Sequence, residues 1–329
     1  MTIGVVVSVA EIAERVVGAY LGIRAGERFV IVVDDRTDPE IPAELARAAL
    51  SVGGDPVVVT IAARTRSGSE PPAPAAAALA SADVVLCAAS TSLYHTTAKA
   101  NAQRAGARGV FNAPYRADAW RSGAMTADFF EIRRRAELVA GLLRRTREVR
   151  ITSPAGTELR AIVEGREPMA WLTGICRNAG EVSALPGGEV SLPPLEGTSE
   201  GIVVWERVAS DLGALDAPVR ITVRAGRAVR IEGGSSADRL RAIVGSVTDA
   251  DNIGEIGIGL NPMARIADEI TEAKKALGTV HIALGDSANE YGGLVECDVH
   301  LDGLVMEPTI DFDGSAVVVD GRHVYAPAP

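Results

Sequence analysis

Between Glu27 and Pro114 short runs of β-branched and apolar residues alternate with longer alanine-rich stretches, and no other feature of the chain narrows its fold as much. RFVIVVDD (28–35) has the pattern of a strand buried on both faces, and Asp34 and Asp35 at its end read as turn or helix caps. PEIPAELARAALSVG (39–53) has helical spacing and stops at Gly53 and Gly54. PVVVTI (56–61), PAPAAAALAS (72–81), ADVVLCAA (82–89), a helix-like stretch from Thr96 to Ala105 and RGVFNAP (108–114) continue the alternation. Strands separated by helices are joined by crossovers, which make a mostly parallel sheet covered on both faces. We therefore expect an open α/β domain over 1–147, with RTRSGSEPPAPAAAA (64–78) as a loop feeding a helix and ADFFEIRRRAELVAGLLRRTR (127–147) as the helix leading out.

From residue 148 the texture changes. EVRITSPAGTELRAIVEG (148–165) reads as a hairpin around Pro154, Ala155 and Gly156. Strands are expected at 200–206, 219–234 and 300–307, and helices at 235–247 and 263–277, so 148–329 is predicted to be an α+β domain. A chain of 329 residues that is 47% hydrophobic can fill two cores. Its net charge of −10 and pI near 5.1 oppose a general affinity for nucleic acid or anionic lipid. There are only three lysines, Lys99, Lys274 and Lys275, against 30 arginines, a bias that makes the arginines poor evidence of phosphate recognition. Cys87, Cys176 and Cys297 are odd in number and lack a Cys-x-x-Cys pair, which argues against a disulfide framework or a zinc knuckle. MTIGVVVSVAEIAERV lacks the form of a secretory leader and no window has the length of a membrane span, so the expectation is a cytoplasmic protein.

Four histidines carry most of the chemical information: His95, His281, His300 and His323. In a strand, His300 and Asp302 of VHLDG project from the same face. With His281 of GTVHIALGD, expected at the exposed end of a strand, they form a two-histidine, one-carboxylate set suited to a divalent metal with open positions. Glu189 closes the loop ALPGGEVSLPP, and Glu255 stands in the apolar, glycine-rich run GEIGIGLNP, where an unpaired acid is costly to bury. Both are candidate ligands, against the plainer reading of turn caps or arginine partners.

LPGGEVSLPPLEGTSEG (185–201), GEIGIGLNPMAR (254–265), GTVHIALGD (278–286), HLDGL (300–304) and EPTIDFDG (307–314) follow one another in an order and spacing that resembles the leucyl aminopeptidase (aminopeptidase T) family and its 2,5-dihydroxypyridine 5,6-dioxygenase relatives. ERFVIVVDDRTDP (27–39) and ADVVLCAASTSLYHTTA (82–98) extend the resemblance over essentially the whole chain. In the aminopeptidase branch it implies a metal cluster on Glu189, Glu255, His281, His300 and Asp302, with Tyr291 as the counterpart of a tyrosine after the first histidine. In the dioxygenase branch it implies one Fe(II) on two histidines and an aspartate. His300 and Asp302 match that set, while the other histidine falls near the place where this chain has Glu255. Glu255 therefore favours the hydrolytic branch. The resemblance also implies a homo-oligomer.

His95, in TSLYHTTAKA, is placed at the C-terminal edge of a sheet strand, a proton-transfer candidate or a helix cap. His323 is expected to be exposed in a tail hairpin, Cys87 and Cys176 to be packing residues, Asp311 and Asp313 to be turn acids, and Glu272 and Lys275 to form a solvated i,i+3 pair. No phosphate-binding loop or nucleophile elbow is present in the sequence. The first functional expectation is a metal-dependent aminopeptidase-type hydrolase of a small peptide or amino-acid amide, using Zn, Co or Mn to activate water, with Glu189 or Glu255 as general base. The second is an Fe(II) ring-cleaving dioxygenase with His95 as a base. The third is a catalytically inactive small-ligand-binding protein, which a lack of metal binding would favour.

Overall fold

The computed structural model describes residues 7–267, 269–289 and 291–325, so the first six residues of the N-terminal stretch lie outside the described residues. The chain divides into two compact units: unit 1 runs to Arg133 and takes up Trp171–Gly187, while unit 2 holds Arg134–Ala170 and everything from Gly188 onward.

Unit 1 opens with α1 (Val9–Glu14). The Ser8 hydroxyl accepts from the Glu11 N–H and the Glu11 carboxylate accepts from the Ser8 N–H, a reciprocal cap. Next come β1 (Arg28–Asp34), α2 (Glu40–Ser51), β2 (Asp55–Ile61), α3 (Ala73–Ser81), β3 (Val84–Cys87), α4 (Thr97–Arg104) and β4 (Arg108–Val110). The strands pair in parallel in the order β2-β1-β3-β4, as the alternation predicts. Val30, Val32, Val85, Leu79, Ala102 and Phe111 belong to one core cluster, and Asp34 receives hydrogen bonds from Ser90 and Arg36 as a turn cap. α5 (Ala117–Arg121) follows, and α6 (Phe129–Leu143) begins in unit 1 and ends in unit 2.

The hairpin expected at 148–165 is β5 (Glu148–Thr152) and β6 (Glu158–Ile162). The chain then returns to unit 1 and lays β7 (Val182–Ser183) parallel to β4. The observed division therefore differs from a single cut at 147/148. The free edge of β4 is the physical reason: Gly109 and Phe111 donate to the carbonyls of Glu181 and Ser183, which satisfies backbone groups that an edge strand leaves open.

Unit 2 continues with β8 (Glu189–Leu192), β9 (Glu200–Trp205), β10 (Val208–Ala209), β11 (Gly213–Ala214), β12 (Val219–Arg224), β13 (Arg227–Glu232), α7 (Ser235–Ser246), β14 (Ile253–Gly259), α8 (Ile270–Ala273), β15 (Val280–Gly285), β16 (His300–Val305), β17 (Thr309–Phe312), β18 (Ser315–Val319) and β19 (Arg322–His323). These strands form two antiparallel sheets, ordered β13-β12-β9-β6-β5-β17-β18-β19 and β11-β10-β16-β15-β14-β8. The whole is thus a mixed α/β architecture with one parallel and two antiparallel sheets. The helix expected over 263–277 is only the single turn α8. Asn261 donates to the Lys275 carbonyl and accepts from the Leu277 N–H, which ties together the two ends of a segment that a straight helix would hold about 22 Å apart.

Candidate metal centre

The six-stranded sheet has one apolar and one polar face, and a period of two assigns each residue to its side. Val190, Leu192, Ile256, Ile258, Ile282, Leu284, Leu301 and Val305 belong to the core. On the opposite face the register sets Gly259 against Glu189, Gly257 against His281, Ala283 against both Glu255 and Asp302, and Gly285 against His300. Ile253 and Glu255 have the same parity, yet Ile253 joins the core. A register shift between them, at Gly254, turns the strand over so that the acid faces the other way. Gly257 is needed for a different reason: a Cβ there would lie 1.9 Å from the His281 ring. The glycine-rich run GEIGIG thus leaves space beside an imidazole that is 0% exposed.

All five expected ligands converge on this face. His281 Nε2 lies 3.6 Å from Glu189 Oε2, 3.5 Å from Glu255 Oε2 and 4.0 Å from Asp302 Oδ1. His300 Nε2 lies 2.9 Å from Glu255 Oε2 and 3.3 Å from Asp302 Oδ1. Such spacings suit side chains that share one ion at about 2.0–2.2 Å. Both ring nitrogens of His281, Glu189 Oε2 and Asp302 Oδ1 are buried without a hydrogen-bond partner, an arrangement costly in a closed core and appropriate to a cation. Among the described residues, Glu255, His300 and Asp302 each bring one ligand atom within 4.8 Å of the others, close enough to hold one metal ion.

Supporting contacts fix His300. Its Nδ1–H donates to the Asp286 carbonyl at 2.9 Å, so Nε2 faces the carboxylates and is held there by a second proton or by a shared cation. The Asp286 carboxylate in turn accepts from the backbone of Cys297, which closes the loop that carries Tyr291. The Tyr291 ring stacks on His300 with centroids 4.4 Å apart and planes 6° from parallel. Burial alone pushes the His300 imidazolium down, but Asp302 and Glu255 outweigh it and the pKa is pushed up to about 10. Burial likewise raises Glu255 and Asp302. The imidazoles hold Glu255 well below the usual carboxylate range, and Lys274 with His300 does the same for Asp302.

Several expectations need correction. His281 is 0% exposed within β15, flanked on both sides by the paired strands β14 and β16, and is not at an exposed strand end. Glu189 opens β8 and does not close a loop. His323 is half-buried, with Nδ1 2.7 Å from the Tyr325 hydroxyl. Lys275 is 2% exposed, so Glu272–Lys275 is no solvated pair; Glu272 instead binds Arg265. His95 is exposed beside Tyr94 in unit 1, in the segment between β3 and α4. Cys87 and Cys176 are buried, and burial pushes both thiols up, in keeping with packing roles.

The sequence reading missed Lys274. Its Nζ lies 3.4 Å from Glu189 Oε2 and 3.2 Å from Asp302 Oδ2. Burial pushes the ammonium down, but Asp302, Glu189 and Glu255 outweigh it and the net shift is upward. A signal was available in the lysine count: in a chain with 30 arginines, each of the three lysines stands out as a place for a compact ammonium.

Among the described residues no helix is long and apolar enough to cross a membrane. No curated protein matches the chain. A solved 2,5-dihydroxypyridine dioxygenase from Pseudomonas putida KT2440 is similar in fold, with a TM-score of 0.81, 20% identity and 97% of both chains covered. Wild-type AmpT from Thermus thermophilus is also similar, with a TM-score of 0.67, 18% identity, and 96% of this chain and 99% of that one covered. Both relatives expected from the sequence segments are thus found. The family model NicX, 2,5-dihydroxypyridine 5,6-dioxygenase, matches residues 15–325, and the chain belongs to that family.

Proposed function

We propose that the protein is a metal-dependent enzyme that opens the ring of a hydroxylated nitrogen heteroaromatic with O2. The observation that carries this reading is the set His281, His300 and Asp302 on one buried sheet face, two imidazoles and a carboxylate in which both His281 ring nitrogens and Asp302 Oδ1 are left without hydrogen-bond partners, in a chain of the dioxygenase family. Family membership shifts the weight from the hydrolytic reading, which Glu255 favours in the sequence. A divalent iron bound there would supply adjacent open positions for a substrate oxygen and O2. The chain's own residues do the rest. Asp286 and Tyr291 fix the His300 ring, Gly257 admits His281, and Glu255 accepts the proton that His300 carries on Nε2 when no cation is shared. Glu189, outside the two-histidine, one-carboxylate set, is the group we assign to take a proton from a substrate hydroxyl.

A second reading, hydrolysis of an amino-acid amide by metal-activated water, is supported by Glu189 and Glu255 reaching the same cluster, since three carboxylates suit water activation. One experiment separates the two. Protein reconstituted with Fe(II) without air is mixed with 2,5-dihydroxypyridine and related dihydroxylated heteroaromatics, and O2 uptake is followed with loss of ring absorbance. Equal uptake of O2 and loss of substrate is expected. Metal-loaded protein that consumes no O2 with any of them, yet releases amine from amino-acid amides with Zn, Co or Mn, overturns the first reading in favour of the second.

A further inference from the structure

We propose that Lys274 is a built-in cation standing where a second metal ion would otherwise sit, so that the cluster takes one divalent ion and no more. This inference rests on the cluster being a metal centre. Glu189 bridges the two positions: its Oε2 lies 3.6 Å from His281 Nε2 on one side and 3.4 Å from Lys274 Nζ on the other. Asp302 does the same, with Oδ1 3.3 Å from His300 Nε2 and Oδ2 3.2 Å from Lys274 Nζ. Carboxylates that present one oxygen to the imidazoles and face a second positive group across the site are arranged as bridging ligands of two cations, and here the second cation is an ammonium.

Charge supports the same count. Among the groups in direct contact, Glu189, Glu255 and Asp302 bring three negative charges and Lys274 one positive charge, which leaves two to be cancelled by a single divalent ion with neutral imidazoles. A second divalent ion beside the lysine would leave a buried excess of positive charge, which a low-dielectric site resists. The backbone holds the ammonium in place. Lys274 donates its N–H to Ile270, while Asn261 binds the Lys275 carbonyl and the Leu277 N–H on the following residues. The side chain is 15% exposed, so withdrawal into solvent would cost its two carboxylate contacts. Glu189, paired with the lysine, then stands outside the ion's ligand set, leaving Glu255, His281, His300 and Asp302 to the ion.

The test counts metal and needs no substrate. Full-length protein stripped of metal is titrated with Mn(II), the bound ion is counted by mass spectrometry, and its spin coupling is read by paramagnetic resonance. The wild type is expected to bind one equivalent with the spectrum of an isolated ion. Lys274→Ser is expected to bind two with an exchange-coupled spectrum, and Lys274→Arg one. Two equivalents in the wild type, or one in Lys274→Ser, overturn the proposal, and the wild-type count stands even where the serine variant fails to fold. A wild type that binds no Mn(II) fells the metal-centre reading together with the lysine's role, whereas a count of two leaves the former standing.

Discussion

Each unit buries a group of charges, and the two groups are built in opposite ways. In unit 1 the Arg108 guanidinium, 6% exposed, donates to both oxygens of Glu27 and to the carbonyls of Leu21 and Gly22. In unit 2 Glu189, His281 and Asp302 keep buried atoms with no hydrogen-bond partner, on a sheet face lined with glycine and alanine. A saturated group of buried charges holds a fold together. An undersaturated one stores a cost that only a ligand offsets, which is how a function leaves its mark on an otherwise consistent structure.

Removing a ligand should break that contrast most severely. His300→Ala or Asp302→Ala is expected to lower metal affinity beyond the 10–100-fold that loss of an outer partner brings, with turnover falling in step. Equilibrium dialysis with elemental analysis reads it, and full metal content in an inactive variant would give these residues another role. Next, Glu27→Ala should destabilise the chain by about 3 kcal/mol in denaturant unfolding, because it leaves Arg108 buried beside an empty space. Metal content should not change.

A comparably sized effect is expected from the ion itself. At about 100 times its dissociation constant it should stabilise the chain by about 2.7 kcal/mol, seen as a rise in Tm that chelator reverses. Smaller than the Glu27 change, Glu255→Gln should lower the Tm of metal-free protein only modestly, since the amide oxygen still accepts from His300 Nε2 when the buried charge is lost, while metal affinity falls. A fall in metal-free Tm as large as that of Glu27→Ala would erase the distinction between the two groups.

The smallest effect is a pH dependence. Hydrogen bonding to Arg108 lowers the Glu27 pKa, and burial opposes it only in part. The folded pKa lies below the unfolded value of about 4.3, so this contribution is fully present above that pH and is lost as pH falls through the folded value. Glu27→Gln should flatten the acid limb of a plot of Tm against pH, and an unchanged limb would show that the pair contributes nothing there.

Local pattern made the first sheet legible. RFVIVVDD, PVVVTI and ADVVLCAA are bounded by turns and separated by helices whose spacing is plain, and four of the five parallel strands fall where the alternation puts them. The fifth, β7, has two residues and exists because β4 offers it an edge, which no local pattern records. The five ligand candidates were legible as isolated polar residues in apolar strands. Their shared face was not, since it depends on the pairing of β14 with β8 and β15 and on the bulge at Gly254. Lys274 was hidden because TEAKKAL has the spacing of a solvated helix, while contacts through Asn261 hold the segment to a single turn and turn the ammonium toward the acids.

Anomalous diffraction at the metal absorption edge, from crystals of metal-loaded protein, bears most directly on the account. It should place a peak about 2.0–2.2 Å from His300 Nε2 and from an Asp302 oxygen, with the His281 ring turned toward it. A bound metal that peaks elsewhere in the molecule, with these imidazoles and carboxylates still facing one another across a few ångströms, would contradict it.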